Sequence, residues 1–345
     1  MTRKVSRKYS KSSEFYFKVK GDYFENNSVH KNKAISQNQL YAQQPRRLKC
    51  KCCSEVLPKT IDIHQHGIDY VFCTECNHMN GVHEDTINFV EAIYLNSDGE
   101  MYANEYYDEN YLSRVYDIYL PKVKFLTDTL GRKAKSVLDI GCGSGYFVMG
   151  CHECGIDAFG IDVGKNQIDY GNSKIKDKFQ LEPLVCVHEG DFINFVKNTE
   201  ANVISAIGVI EHLRQPELFF EAFKLSNAEY LFYSVPMFSF SVLLENILQN
   251  VFPRQLFGDH THLFTEKSLS KMNEIIGVTP ISEWRFGADA LDLYRFMLIN
   301  LKHNGGSEKL LGYFERELKE KLDGIQAVFD KGHFCSEIHV IAQKK

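Results

Sequence analysis

The sequence predicts an α/β fold: a mostly parallel sheet with helices on both faces, preceded by a small cysteine-rich module. Three observations carry this. From Ser136 onward, strand and helix signals alternate. The apolar run Val137–Ile140 leads directly into a glycine loop and then a helical pattern. Upstream of that alternation, two Cys-x-x-Cys pairs stand nineteen residues apart.

Along the chain, residues 1–48 lack a sustained period and are rich in Lys, Ser, Asn and Gln, which reads as a basic, loosely packed arm with short strands around Glu14–Lys20. Residues 49–85 hold the paired cysteines. Residues 86–134 read as a helical linker or cap, with helices at Met101–Tyr107 and Glu109–Leu130, the second split by Pro121. Residues 135–345 form the α/β domain. Hydrophobic residues make up 44% of the chain, enough for a sizeable core, which excludes global disorder. No apolar run reaches the roughly 18 residues of a membrane span, and the first twenty residues lack a signal-peptide core. A cytoplasmic enzyme is the expectation.

The net charge of -5 conceals an asymmetry, because residues 1–49 carry 12 Lys/Arg against 3 Asp/Glu. A basic arm suits an anionic partner such as nucleic acid, a nucleotide-sugar or a membrane surface, while the acidic remainder disfavours a broad nucleic-acid footprint there.

Cys50, Cys53, Cys73 and Cys76 match the spacing of a tetrahedral four-thiolate site. Such a set is closed, so the expected Zn2+ is structural, and it supplies folding energy that a zinc-ribbon-like module this small lacks. Cys52 could displace Cys53, and His64, His66, His78 and His83 are alternative ligands. Cys151 and Cys154 have no second pair and read as helix residues.

In Ser136–Phe147, Gly141, Gly143 and Gly145 let the backbone approach a ligand at the end of the first strand, with Cys142 inside the loop and Asp139 just before it. The helix Tyr146–Cys154 follows, closed by Gly155. The spacing is G-x-G-x-G, which disfavours a dinucleotide pyrophosphate site. Further strands are read at Ala158–Ile161, Leu184–Val187, Asn202–Ile207 and Glu229–Val235, with a helix at Pro216–Leu225. Asp162 directly follows Ala158–Ile161. Val163 follows it.

These motifs resemble class I S-adenosylmethionine (SAM)-dependent methyltransferases over roughly residues 100–345. The resemblance implies a Rossmann-like, seven-stranded sheet whose last strand, Phe334–Ala342, is antiparallel. It also implies that the glycine loop and Asp139 hold the methionine part of SAM, Asp162 the ribose, and Asp191 with Phe192 the adenine. Gly208, Glu211 and His212 would then lie beside the transferred methyl.

Methyl transfer to a hydroxyl or carbon acid requires a base, and histidine suits neutral pH. Asp259, His260 and His262 lie in the loop before the Thr265 helix cap. With the zinc module ahead, this loop resembles sugar C-methyltransferases, where a Glu-His pair abstracts a proton. Its Leu-Phe-Thr ending also resembles glycan and small-molecule O-methyltransferases. The acceptor is therefore expected to be a sugar, nucleotide-sugar or related small metabolite, with His260 as base. Its pocket would come from the variable segments Tyr102–Pro121 and Met237–Phe264, the latter opening on a mobile-looking stretch, Met237–Gln255. RNA or protein methylation is the alternative, favoured by the arm and module but lacking an Asn-Pro-Pro-Tyr-like motif or a nucleophilic cysteine. A non-catalytic SAM-binding module is the third reading. Oligomeric state is not encoded legibly.

Overall fold

The computed structural model describes residues 5–14, 17, 22–94, 111–188, 191–258 and 260–345. The expected helix Met101–Tyr107 and the loop residue Asp259 lie outside them. Strand β1 (Ser6–Tyr9) and helix α1 (Asn27–Ala42) come first, then β2 (Ile63–Gln65), β3 (Ile68–Phe72), β4 (Met79–Gly81) and α2 (Ile87–Tyr94). Next are α3 (Leu120–Leu130), β5 (Ser136–Ile140), α4 (Tyr146–Glu153), β6 (Asp157–Asp162), α5 (Lys165–Phe179), β7 (Leu184–Cys186) and α6 (Phe192–Lys197). They are followed by β8 (Val203–Ile207), α7 (Pro216–Leu225), β9 (Tyr230–Pro236), α8 (Phe240–Ile247), β10 (His262–Leu263) and α9 (Glu266–Ile276). The chain ends with β11 (Val278–Phe286), α10 (Asp289–His303), α11 (Glu308–Lys319), α12 (Leu322–Lys331) and β12 (Glu337–Lys344).

The large sheet runs β1-β11-β12-β9-β8-β5-β6-β7. Strands β5 to β9 are mutually parallel, and β12 is antiparallel to both of its neighbours. Both faces are covered, so the central strands read as continuous apolar runs rather than alternating ones. Val137, Leu138 and Ile140 of β5 and Val203, Ile204 and Ala206 of β8 are all buried. One face packs Phe219, Phe220 and Phe223 of α7, and the other packs Phe147, Val148 and Met149 of α4. Strand order reverses between β5 and β8, which opens a crevice at their carboxyl ends. Helical backbone continues from Tyr111–Arg114 through a wide turn at Val115–Tyr119 into α3, so Pro121, in the first turn of α3, is accommodated by the wide turn and does not split the pattern as expected.

Among the described residues the sheet holds the seven expected strands of the α/β domain and an eighth that comes from the arm. β1 pairs in parallel with β11, from Ser6 opposite Ser282 to Tyr9 opposite Arg285. Without it, β11 would present an open edge. The basic residues fit this place: Arg7 Nε bonds Glu283 at 3.3 Å, and the Lys8 ammonium lies 3.9 Å from the centre of the Trp284 ring. The Trp284 indole donates to the Ser10 carbonyl at 3.1 Å. The arm also supplies α1, whose Ala34, Gln37, Asn38 and Tyr41 are buried. β1 and α1 are packed elements within the arm read as loosely packed, and most of the segment Glu14–Lys20, where short strands are expected, lies outside the described residues.

The second sheet, β10-β4-β3-β2, is antiparallel and belongs mostly to the cysteine-rich segment. Its fourth strand is borrowed: His262 and Leu263 of β10 pair with Asn80 and Met79. The next residue, Phe264, exchanges backbone bonds with Pro236 and Phe238 beyond β9. Three consecutive residues therefore stitch the two sheets together. Deleting residues 1–12 should uncover β11 and cost about 1 kcal/mol or more, lowering Tm by roughly 2–4 °C per kcal/mol. A thermal melt identical to that of the full chain would assign β1 no stabilising role.

Candidate active site

The crevice is framed by the glycine loop. Gly141, Gly143 and Gly145 all have positive φ, at 62°, 52° and 71°. At Gly145 a Cβ would sit 2.5 Å from Leu184, so glycine there permits close packing of α4 on the sheet. At Gly143 a Cβ would meet only Gln167 Oε1, at 3.8 Å, so this part of the loop faces open space. The Asp162 carboxylate accepts from the amides of Gly143 and Gly164, both at 2.8 Å, and fixes the loop against the end of β6. Burial raises its pKa. Val163 beside it is half exposed. Asp139 lies beneath the loop, 4% exposed, and accepts from the Ser205 hydroxyl at 2.6 Å. Burial pushes its carboxyl up to about 7. Asp191 is exposed at the start of α6, and the partly buried Phe192 packs against the core, its ring tilted against Phe219 at 6.2 Å between centres. Tyr111 covers the loop from the other side, its hydroxyl donating to the Ser144 carbonyl at 2.9 Å.

Beyond β8 the chain turns at Gly208, φ 68°, whose amide donates to Ser234 at 2.9 Å. Glu211 is buried on the following turn. His212 meets His260 across the crevice mouth, ring centres 5.3 Å apart. The two arrive from different segments. Nδ1 of His260 is buried with no hydrogen-bond partner among the described residues. His262 does not join them. Its Nε2 donates to the Glu211 carbonyl at 2.8 Å, and its Nδ1 lies 2.7 Å from His78 Nε2. Both nitrogens are engaged, and burial holds its pKa well below the ordinary range. Expected among the catalytic side chains, His262 has both ring nitrogens bonded within the chain.

The four paired cysteines converge, with all Sγ atoms within 4.8 Å of one another. Cys50–Cys76 and Cys53–Cys73 are 3.6 Å apart. That excludes a disulfide, near 2.0 Å, and matches the roughly 3.8 Å edge of a tetrahedron with 2.3 Å metal–sulfur bonds. The two knuckles share one backbone pattern. Ser54 and Asn77 donate to the carbonyls of Cys50 and Cys73, and both adopt positive φ. Cys52 points instead to the Ser268 carbonyl at 3.4 Å. His64 bonds Asp69, His83 bonds the Gln44 carbonyl and His78 bonds His262, so these rings are committed elsewhere.

A family model described as a methyltransferase domain matches residues 111–283, half of the chain. The chain belongs to this family. It is a SAM-dependent methyltransferase. No curated protein matches the sequence. Among solved structures the methyltransferase is similar to magnesium protoporphyrin IX methyltransferase from Synechocystis with bound SAH, at 10% identity over 75% of this chain and 100% of that one, TM-score 0.49. It is also similar to geranyl diphosphate C-methyltransferase from Streptomyces coelicolor A3(2), at 12% identity over 76% and 100%, TM-score 0.44. A SAM dependent methyltransferase from Archaeoglobus fulgidus shares 18% identity over 69% and 100%, TM-score 0.42.

Three features of the methyltransferase's site had no sequence signal. Ser205 holds Asp139 from the neighbouring strand. Lys51, between two cysteines, reaches the Glu211 carbonyl at 3.1 Å. The segment after β9, expected to be mobile, is fastened by Glu245, which accepts from the amides of Arg254, Gln255 and Leu256 at 2.7, 2.8 and 3.3 Å. Among the described residues no helix is long and apolar enough to cross a membrane.

Asp139 gives a signed pH dependence. Its folded pKa, about 7, stands above the ordinary carboxylate value, so between pH 4 and 7 the folded state holds a proton the unfolded chain has lost. This contribution is full below pH 4 and fades as pH rises through 7. Without cofactor, the Tm of Asp139→Asn relative to wild type should therefore rise from pH 5 to pH 8. A difference flat in pH would mean that Asp139 is ionised throughout.

Proposed function

We propose that the methyltransferase transfers the methyl group of SAM to a sugar, nucleotide-sugar or related small metabolite, with His260 as general base. The observation that carries this reading is the meeting of His260 with His212, which lies on the turn after the carboxyl end of β8. In this reading Gly141, Cys142, Gly143 and Gly145 line the methionine side, over Asp139. Asp162 and Val163 take the ribose, with Asp191 and Phe192 at the adenine. Gly208 and Glu211 lie by the methyl.

The residues fit such a ligand. The Gly143 backbone is open on one side, and the Asp162 carboxylate is already oriented by two amides. SAM supplies an activated methyl, so the protein's tasks are alignment and removal of the acceptor's proton. His260 has a nitrogen to accept that proton, and His212 flanks it. Asp259 is proposed to orient or assist the ring.

Two features favour a small acceptor over RNA. Several of the arm's cations are engaged within the chain: Arg7 with Glu283, Lys8 on Trp284, and Arg47 with Glu84 and Asp85. The module's β4 edge is occupied by β10 instead of lying open. The four thiols are read as holders of one structural Zn2+, closed to water or substrate. All ten cysteines are unpaired, which suits the cytoplasm.

Asp162→Ala should weaken SAM binding about 100-fold or more by calorimetry, the loss of roughly 3 kcal/mol from a carboxylate bonded to two hydroxyls. Unchanged affinity would displace the cofactor assignment. His260→Ala should retain SAM affinity but lose at least about 100-fold in turnover with the acceptor found by screening nucleotide-linked sugars. Full turnover in that variant would remove His260 from the chemistry, and turnover on RNA alone would overturn the acceptor class.

A further inference from the structure

The Cys50–Cys53 knuckle touches the catalytic face through one side chain. Lys51 stands between the thiols, its side chain 4% exposed, and places Nζ 2.6 Å from Asp85 and 3.1 Å from the Glu211 carbonyl. Its backbone amide donates to Asn80 Oδ1 at 2.9 Å, and the Asn80 amide group lies 3.6 Å from Cys50 Sγ. The ammonium is therefore aimed by the geometry of the knuckle itself.

The same carbonyl receives a second donor by a longer route. A carbonyl only accepts, so His262 Nε2 carries a proton toward Glu211. In the neutral ring Nδ1 then accepts from His78 Nε2, and His78 Nδ1 accepts from the Ser268 hydroxyl, 3.3 Å away. His78 follows Cys76 by two residues, so this arm begins at the second knuckle. Asp85, which holds Lys51, also accepts from Arg47 at 2.9 Å and from the Thr261 hydroxyl at 2.8 Å. Thr261 lies between His260 and His262. Both histidine-bearing segments are thus tied to the thiol cluster.

We propose that Lys51 is a positioning residue: it pins the Glu211 carbonyl, and with it the turn that sets His212 against His260, so that the thiolate site governs assembly of the acceptor face. This rests on the reading of His212 and His260 as the acceptor face and of the four thiols as a metal site. The tests below need neither an acceptor nor turnover, so they can fail separately from that reading.

The full-length protein is compared with Lys51→Met, Lys51→Gln and Lys51→Arg by hydrogen exchange, zinc content and SAM affinity. In Lys51→Met, amides of residues 208–213 and 260–264 should exchange at least about tenfold faster. Residues 139–147 should change less than about twofold, and SAM affinity should fall by less than the loss expected for Asp162→Ala. Lys51→Arg keeps a cationic donor and should restore protection. Chelation of wild-type zinc should loosen the same two segments. Unchanged exchange at 208–213 in Lys51→Met would overturn the proposal, as would equal loosening of the glycine loop. Should Lys51→Met fail to fold, the neutral donor of Lys51→Gln gives the same comparison. Failure of Lys51→Arg to restore protection would reduce Lys51 to a packing role. Wild-type protein that binds SAM but no zinc would refute the metal reading alone.

Discussion

The carbonyl oxygen of Glu211 takes two donors from outside the parallel sheet, and the mouth of the crevice is organised around it. One donor is the Lys51 ammonium and the other is His262. Burying a lysine is unfavourable by several kcal/mol unless it is paired and bonded. Here the partner is Asp85, equally buried. Burial alone would raise the Asp85 pKa, yet Lys51 and Arg47 together hold it below the ordinary range. Burial lowers the Lys51 pKa at the same time, with Asp85 opposing that shift, so the carboxylate and the ammonium depend on each other. Removing any one member leaves the others uncompensated, so the cluster fixes geometry more than it adds stability.

The cluster explains why the cysteine-rich segment cannot be treated as an appendage. Its own core is small: Leu57, Val71 and Val82 with the paired cysteines. The larger apolar surface around it is shared. Ile68, Tyr70 and Met79 pack with Tyr41 of the arm, with Phe89 and Ile93 of α2, and with Val242, Leu256 and Leu263 of the α/β domain. A metal site can close such a module, but docking supplies the remaining burial. The strand it docks with, β10, is the one that leads from His260 into the sheet.

Much of the α/β domain was legible because β5, β8 and β9 are buried on both faces, and glycine turns follow β5 and β8. The helix Pro216–Leu225 is read to its limits, and the last strand's antiparallel setting agrees. The thiol cluster was legible because ligand spacing is local chemistry. β1 was not: its sequence Ser-Arg-Lys-Tyr is almost wholly exposed at a sheet edge, so no alternation marks it. Helix α1 escaped for a related reason. Its buried positions include Gln37 and Asn38, and no apolar stripe forms. β10 is two residues long, below any periodic signal.

His260 and His262 show where sequence proximity misleads. They sit two residues apart in one His-rich loop, and composition gives them the same chemistry. The structure separates them by their partners. His262 enters a ladder with β4 and has a carbonyl at one nitrogen and an imidazole at the other. His260 stays outside the ladder, stacked beside His212 and Phe257. His260 Nδ1 has no hydrogen-bond partner among the described residues, whereas both nitrogens of His262 are engaged. The doubly bonded ring thus ties the end of this loop to the Glu211 turn and to β4, and so holds in place the segment that carries its less constrained neighbour.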